Sequence, residues 1–117
     1  MKKSKKTFYE MMVILKPLLP DDVRKAVHKS IVDLCEELGG EVKDVDVWGK
    51  RYLAYKIASH NEGYYLVYNF YLPQESMKEF KRLLDLKQEI LRYLLLKGDE
   101  EDLNKNSIKK KEIDVHI

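Results

Sequence analysis

The chain has 117 residues, 44% of them apolar, and 22 basic against 20 acidic side chains give it a formal net charge of only +2. These values are typical of one folded domain and exclude a collagen-like or low-complexity chain. The single cysteine excludes an intrachain disulfide, and no stretch has the pattern of a signal peptide or a membrane span, so we expect a soluble intracellular protein.

The first elements in chain order are a strand and a helix. Residues 8–16 are rich in β-branched and aromatic side chains and end at a proline, which predicts a buried strand. From Val23 to Leu38 apolar residues recur at three- and four-residue steps, which predicts an amphipathic helix of about 17 residues. We expect Asp21 to accept a hydrogen bond from an amide of its first turn, and Gly39-Gly40 to end it.

A hairpin is predicted next. Residues 41–57 alternate between polar and apolar side chains, as a strand does, but Gly49 interrupts them. A glycine inside such a pattern indicates a bulge or a bend. Residues 58–63 predict a turn, and residues 64–72 give the strongest strand signal of the chain.

The last elements are a helix and an ambiguous apolar segment. Residues 74–85 predict a helix that Pro73 opens, whereas residues 86–97 could continue that helix or form a strand. We favour the strand, because it would cover the free edge of the first strand and complete two strand–helix–strand units. Residues 1–7 are then a basic arm, and residues 98–117 a charged, disordered tail.

The order βαββαβ predicts an α+β domain over residues 8–97 with the ferredoxin-like fold, a four-stranded antiparallel sheet with both helices on one face. The opposite surface, named here the helix-free face, must then be solvated or occupied by a partner. Strand alternation assigns a mixed set of side chains to it: Glu10, Met12, Ile14, Tyr65, Val67, Asn69, Tyr71, Arg92 and Leu94. Among these, the candidate contacts for a protein partner are Met12, Ile14, Tyr65, Val67, Tyr71 and Leu94.

Catalytic residues are not evident. The three histidines, His28, His60 and His116, have no histidine or cysteine near them in sequence and are interpreted as surface residues. Cys35 falls on the apolar stripe of the first helix and is interpreted as a small buried hydrophobe. The chain also lacks a glycine-rich phosphate loop. We therefore expect no enzymatic activity, no metal or other cofactor and no small-molecule substrate.

Cations interleaved with tyrosines indicate binding to a nucleic acid. Lysine and arginine neutralise phosphates, and tyrosine offers a flat face for stacking. The segment "YYLVYNF" lacks the Lys/Arg-Gly-Phe motif of the common RNA-recognition module, so we expect contacts with the backbone of a structured RNA rather than base stacking on the sheet. The candidate RNA-binding residues are Lys2, Lys3, Lys50, Arg51, Tyr52, Lys56, Arg92 and Lys97, with Tyr55 interleaved.

Four motifs together resemble a known family. The motifs "YEMMVILKP", "WGKRYLAYKI", "NEGYYLVYNF" and "LRYLLLK" are similar, in order and spacing, to the bacterial small-subunit ribosomal protein numbered six, over residues 8–97. The resemblance implies a ferredoxin-like fold, a cytoplasmic ribosomal location and binding to the central domain of small-subunit ribosomal RNA. It also implies a protein partner, the small-subunit protein numbered eighteen. Lys56 departs from the family, which usually has proline after "LAY".

Two other functions fit the same fold. One is a regulatory or dimerisation module that binds a small ligand or a protein through the helix-free face. The other is an acylphosphatase-like enzyme, which would need an anion-binding arginine loop and a positioning asparagine after the first strand. Residues 17–20, "PLLP", supply neither.

Overall fold

The computed structural model describes residues 6–57 and 60–98, except for the side chains of Ala54 and Tyr55. Most of the predicted arm and tail, and His116, lie outside these ranges. In chain order the elements are β1 (Lys6–Leu15), α1 (Asp21–Glu37), β2 (Glu41–Ile57), β3 (His60–Pro73), a 3-10 turn (Gln74–Ser76), α2 (Met77–Asp85) and β4 (Ile90–Gly98). β1 therefore begins inside the segment predicted as the arm, and β4 includes the first residue of the predicted tail.

The four strands form one sheet in the order β2-β3-β1-β4, and every neighbouring pair is antiparallel. This is the predicted ferredoxin-like arrangement. The ambiguous segment 86–97 contributes a strand, and β4 pairs with the edge of β1 as expected.

The main core lies between the sheet and the two helices. One half of each strand's side chains points towards the helices, because successive residues of a strand face opposite sides. The buried members of this core come from β1, β3 and both helices: Tyr9, Met11, Val13, Leu15, Val27, Ile31, Leu34, Cys35, Leu66, Tyr68, Phe70, Leu72, Phe80 and Leu84. Phe70 and Phe80 meet with ring centroids 5.4 Å apart, which joins α2 to the centre of the sheet.

The sequence predicted the C-terminal end of α1 correctly but not the cap at its N-terminal end. Gly39 has φ +91° and follows the helix, as expected of a glycine that ends one. At the other end the cap residue is Pro20, and no side chain in the described part of the chain makes a capping hydrogen bond. The prediction for Asp21 is therefore wrong: it is the first helical residue, and its carboxylate pairs with Arg24. It still lies at the positive end of the helix, where an acid is favourable.

β2 has the bounds of the predicted strand pattern, whereas β3 is longer than predicted. The predicted turn at residues 58–63 is wrong, because β3 already begins at His60 and Ile57 pairs with it. β1 stops at Leu15, which pairs with Tyr64, so residues 51–57 and 60–63 have no β1 partner. These residues form a two-stranded ribbon, named here the β2–β3 ribbon, that projects past the end of β1.

Two glycines in this region serve different purposes. Gly49 has φ +82°, at a point where the pairing of β2 with β3 shifts register, so the predicted bulge is confirmed. Gly63 instead sits where the chain approaches β1 closely, since a Cβ there would lie 2.3 Å from Cγ2 of Ile14. A Cβ at Gly49 would meet no heavy atom within 4 Å.

These two roles predict opposite responses to asparagine. Gly49→Ala should lower the free energy of unfolding by about 1–2 kcal/mol through left-handed strain, and Gly49→Asn should recover part of this loss, because asparagine tolerates that conformation. Gly63→Ala should cost about 1–3 kcal/mol by overpacking, and Gly63→Asn should cost more. Urea unfolding of the four variants measures these differences. If asparagine were no better than alanine at Gly49, the strain argument would be wrong.

Cys35 is buried, as the sequence predicted. Its side chain is 1% exposed, and its Sγ lies 3.7 Å from the Tyr71 carbonyl oxygen. Burial, with a smaller contribution from the nearby Glu36 carboxylate, raises the pKa of the Cys35 thiol to about 11. The neutral thiol is therefore the form that the fold stabilises.

This pKa shift predicts a stability loss in alkaline solution. Below about pH 9 the thiol is neutral in both the folded and the unfolded chain, so its contribution is complete; between about pH 9 and 11 only the unfolded chain ionises. The free energy of unfolding of the wild type should therefore fall by about 2–3 kcal/mol relative to Cys35→Ala across this interval. Denaturant unfolding of both proteins at a series of pH values measures this difference. Groups that titrate equally in the two proteins contribute equally to both free energies and cancel. A constant difference would contradict the burial argument.

Candidate interaction surfaces

Four of the predicted partner residues lie together on the helix-free face. Met12, Ile14, Tyr65 and Val67 form a second apolar cluster, separate from the main core. They are between 0% and 5% exposed, so the expectation that they lie open to a partner is wrong. Partly buried residues that pack against the cluster account for this: Trp48, Leu53, Leu91 and Leu96.

Trp48 is the largest of these covering residues. Its ring stacks on that of Tyr65, with centroids 6.0 Å apart and planes inclined by 5°. Its indole Nε1 donates a hydrogen bond to Asp46 Oδ2 at 3.3 Å, which fixes the ring from the other side. The interpretation of Trp48 as a packing residue follows from these contacts.

The other two predicted partner residues remain accessible. Leu94 of β4 is 39% exposed and lies on the helix-free face, because it pairs with Met12. Tyr71 is half-buried, and its ring meets that of Phe8 edge-on at 5.1 Å. A protein that docked on this face would therefore meet Leu94 and Tyr71 before any of the clustered residues.

The bulge at Gly49 decides where the cations of β2 point. Asp46 pairs with Val67 on the helix-free face, and Gly49 pairs with Tyr65 on the same face, although the two residues are three positions apart, an odd number. The extra residue reverses the alternation beyond it. Arg51 consequently faces the helix-free side, and Lys50, which pairs with Tyr64, faces the helices. The two candidate RNA-binding cations therefore lie on opposite faces of β2 and do not form one patch.

The cations of the β2–β3 ribbon and its base are exposed. Lys50, Arg51 and Lys56 are all accessible, and Tyr52 is 73% exposed. The Arg51 guanidinium lies 5.2 Å from the centroid of the Trp48 ring, a cation–π contact that holds it at the base of the ribbon. Within residues 6–57 and 60–98, neither Lys50 nor Arg51 takes part in an ion pair.

The remaining predicted RNA contacts lie apart from the ribbon. Arg92 and Lys97 are exposed on β4, which forms the opposite edge of the sheet from β2. Three strand spacings separate these edges, about 14 Å in total. Arg92 pairs with Ile14 and Lys97 with Tyr9, so the two also face opposite sides. Lys2 and Lys3 lie outside the described residues.

A group of acids on the helix-free face was not predicted from the sequence. Glu41 pairs with Tyr71, Asp44 with Asn69 and Asp46 with Val67, so all three acids lie on this face beside Glu10. A second register shift, at Lys43, displaces the alternation at the start of β2. The sequence shows that these residues are acidic, but it does not show which face of the sheet their side chains lie on.

His28 is not the simple surface residue that was predicted. It is half-buried, and its Nδ1 lies 2.9 Å from the hydroxyl oxygen of Tyr68 in the main core. Burial raises the pKa of the Tyr68 hydroxyl well above its usual range, so that hydroxyl keeps its proton. A groove of about 250 Å³ beside His28 is bounded by Arg24, whose guanidinium stacks 4.3 Å above the Tyr64 ring.

The described part of the chain contains no cluster of three potential metal ligands among its histidines, cysteines and acids. In that same part, neither helix has the length and apolar character needed to cross a bilayer. His60 belongs to β3 rather than to a turn.

Comparisons with known proteins agree with this fold. A family model described as Ribosomal protein S6 matches residues 8–97. The small ribosomal subunit protein bS6 of Dictyoglomus turgidum is 43% identical over 94 residues, which cover 80% of this chain and 97% of that protein. Its counterpart in Thermoanaerobacter pseudethanolicus is 40% identical over 92 residues, which cover 79% and 97% of the two chains.

A solved structure is similar along almost its whole length. The 30S ribosomal protein S6 of Thermotoga maritima superposes with a TM-score of 0.77 at 29% sequence identity, over 92% of this chain and 99% of that one. The resemblance that the four sequence motifs indicated is thereby confirmed. This chain belongs to the ribosomal protein S6 family, whose members are structural, non-enzymatic components of the small subunit of the cytoplasmic ribosome.

Proposed function

We propose that this protein binds the central domain of small-subunit ribosomal RNA together with the small-subunit protein numbered eighteen. The observation that carries the proposal is the β2–β3 ribbon, which leaves the sheet and carries exposed cations and an exposed tyrosine. In this proposal the protein binds its partners through its shape and charge, and it catalyses no reaction.

The ribbon suits contact with an RNA backbone. Lys50 and Arg51 face opposite sides of β2, so phosphates on either side of a projecting strand can be neutralised. Tyr52 is 73% exposed on the same strand and can stack on a base or a ribose. Arg51 is held against Trp48, so less side-chain freedom is lost when it binds a phosphate.

The helix-free face suits contact with a protein. Its apolar cluster is already closed, while Leu94, which pairs with Met12 of the cluster, is 39% exposed and Tyr71 is half-buried on the same face. An apolar surface gains free energy when a protein partner covers it, whereas an RNA backbone offers charge instead. We assign the two partners to different parts of the molecule for this reason.

Removing the two cations at the base of the ribbon should weaken RNA binding. In Lys50→Ala/Arg51→Ala, the slope of log K against log salt concentration should flatten by about 0.9 for each lost duplex phosphate contact, about 1.8 in total. Titration of a central-domain RNA transcript at several salt concentrations, with the partner protein present, measures this slope.

The matched control is Lys78→Ala/Lys81→Ala, which removes two exposed cations from α2. We expect this variant to retain the wild-type slope. Equal slopes for the wild type and the ribbon variant would exclude the two ribbon cations as phosphate contacts.

A charge on the accessible part of the helix-free face should disrupt partner binding. Val67 is 2% exposed, so a charge there would unfold the cluster, and Leu94 is the better position. We expect Leu94→Glu to weaken binding of the partner at least tenfold, while the free energy of unfolding changes by less than about 1 kcal/mol. Calorimetric titration and urea unfolding give the two quantities.

Val47→Glu provides the control on the other side of the sheet. Val47 is 57% exposed and pairs with Leu66, so it faces the helices. This variant should bind the partner as the wild type does. If it weakened binding while Leu94→Glu did not, the partner would dock on the helix side.

A further inference from the structure

One residue from each strand contributes to a row of side chains across the helix-free face. Asp44 of β2 pairs with Asn69 of β3, Asn69 pairs with Glu10 of β1, and Glu10 pairs with Leu96 of β4. We name these four residues the cross-strand row. The row crosses the sheet next to the apolar cluster, since Met12 follows Glu10 by two residues on β1 and Val67 precedes Asn69 by two residues on β3.

Asn69 has an unmet hydrogen-bonding requirement. The residue is 4% exposed, and its side-chain Oδ1 has no hydrogen-bond partner within residues 6–57 and 60–98. A buried carbonyl oxygen without a donor destabilises the folded protein, because it has lost its hydrogen bonds to water. A site that leaves such an acceptor unpaired in the free protein recovers this loss when a bound group supplies the donor.

The surroundings of Asn69 are acidic. Glu10 is directly opposite on β1 and only 7% exposed, and Asp44 is directly opposite on β2 and exposed. Glu41 and Asp46 lie on the same face on either side of Asp44. A polyanion is repelled by such a group, whereas a cation is attracted.

Two cations of the helix-free face, Arg51 and Arg92, lie at its other end, whereas Lys43 lies beside the row with its Nζ 3.7 Å from Glu41 Oε2. Arg51 pairs with Gly63 and Arg92 pairs with Ile14, both near the end of the sheet from which the ribbon projects. The face is therefore divided along the strands into a basic end beside the ribbon and an acidic end at the cross-strand row. This division favours RNA at one end and a basic protein surface at the other.

We propose that the cross-strand row binds a cationic side chain of the protein partner. The inference rests on the proposed function, because it names the group that the partner inserts into the face on which it docks. Directly opposite residues have Cβ atoms about 4.5–5.5 Å apart. A guanidinium group has five N–H donors in a planar fork, so it can donate to Asn69 Oδ1 and to a carboxylate of the row together. Leu94 and Tyr71 flank the row and provide an apolar seat for the aliphatic stem.

The test uses two variants of the full chain that remove one negative charge each. Glu10→Gln changes the buried carboxylate and Asp44→Asn the exposed one. Calorimetric titration with the purified partner protein should show at least tenfold weaker binding for Glu10→Gln and about threefold weaker binding for Asp44→Asn. Asp22→Asn, at an exposed acid at the start of α1, is the matched control and should bind as the wild type does. Asp44→Asn also keeps the test decisive if Glu10→Gln fails to fold.

The outcomes separate this inference from the proposed function. If the wild type binds the partner and both row variants bind it equally well, the row does not receive a cation, while the docking surface stands. If the wild type does not bind the partner at all, both proposals fail. If the row variants leave partner binding unchanged and strengthen binding of the RNA transcript, the face meets RNA and the inference is overturned.

Discussion

The stacking of Trp48 on Tyr65 is the contact on which the helix-free face depends. Two helices cover only one side of a four-stranded sheet, so the other side has to be closed by something else. Here a side chain from the edge strand β2 covers the aromatic ring of β3, and Tyr65 is 0% exposed as a result. An aromatic pair of this kind contributes about 0.5–1.5 kcal/mol beyond its buried area.

The same contact fixes the position of the basic end of the face. The bulge at Gly49 reverses the alternation of β2, which places Arg51 on the side of Trp48 and within 5.2 Å of its ring. Packing and charge are thus coupled through one glycine. The apolar cluster, the cation and the start of the ribbon all depend on a single backbone conformation with positive φ.

The sequence predicted the elements well because their signals are local. The stripe of α1, the strand at residues 64–72 and the interruption at Gly49 can each be recognised within a short window. The assignment of β4 needed a physical argument about sheet edges, and that argument was correct. The turn at residues 58–63 failed because Gly63 was interpreted as a turn residue, whereas its lack of a side chain accommodates Ile14 of another strand.

The candidate sites were less predictable, because they depend on contacts between distant residues. Each of the two register shifts in β2 reverses the side of the sheet that the following residues face. The directions of Asp44, Lys50 and Arg51 therefore differ from those obtained by continuing the alternation of the residues before the nearest shift. The burial of Met12 and Val67 depends on side chains from other strands. His28 contacts Tyr68 across 40 positions of the chain, which no local pattern could indicate.

The central claim is that RNA and protein use opposite ends of the molecule, and amide chemical-shift mapping by NMR tests it most directly. Addition of the partner protein should shift the amides of residues 67–71 and 94–96, and subsequent addition of the RNA transcript should shift those of residues 49–53. The account would be contradicted if the partner shifted the ribbon amides while the RNA shifted those around Asn69 and Leu96.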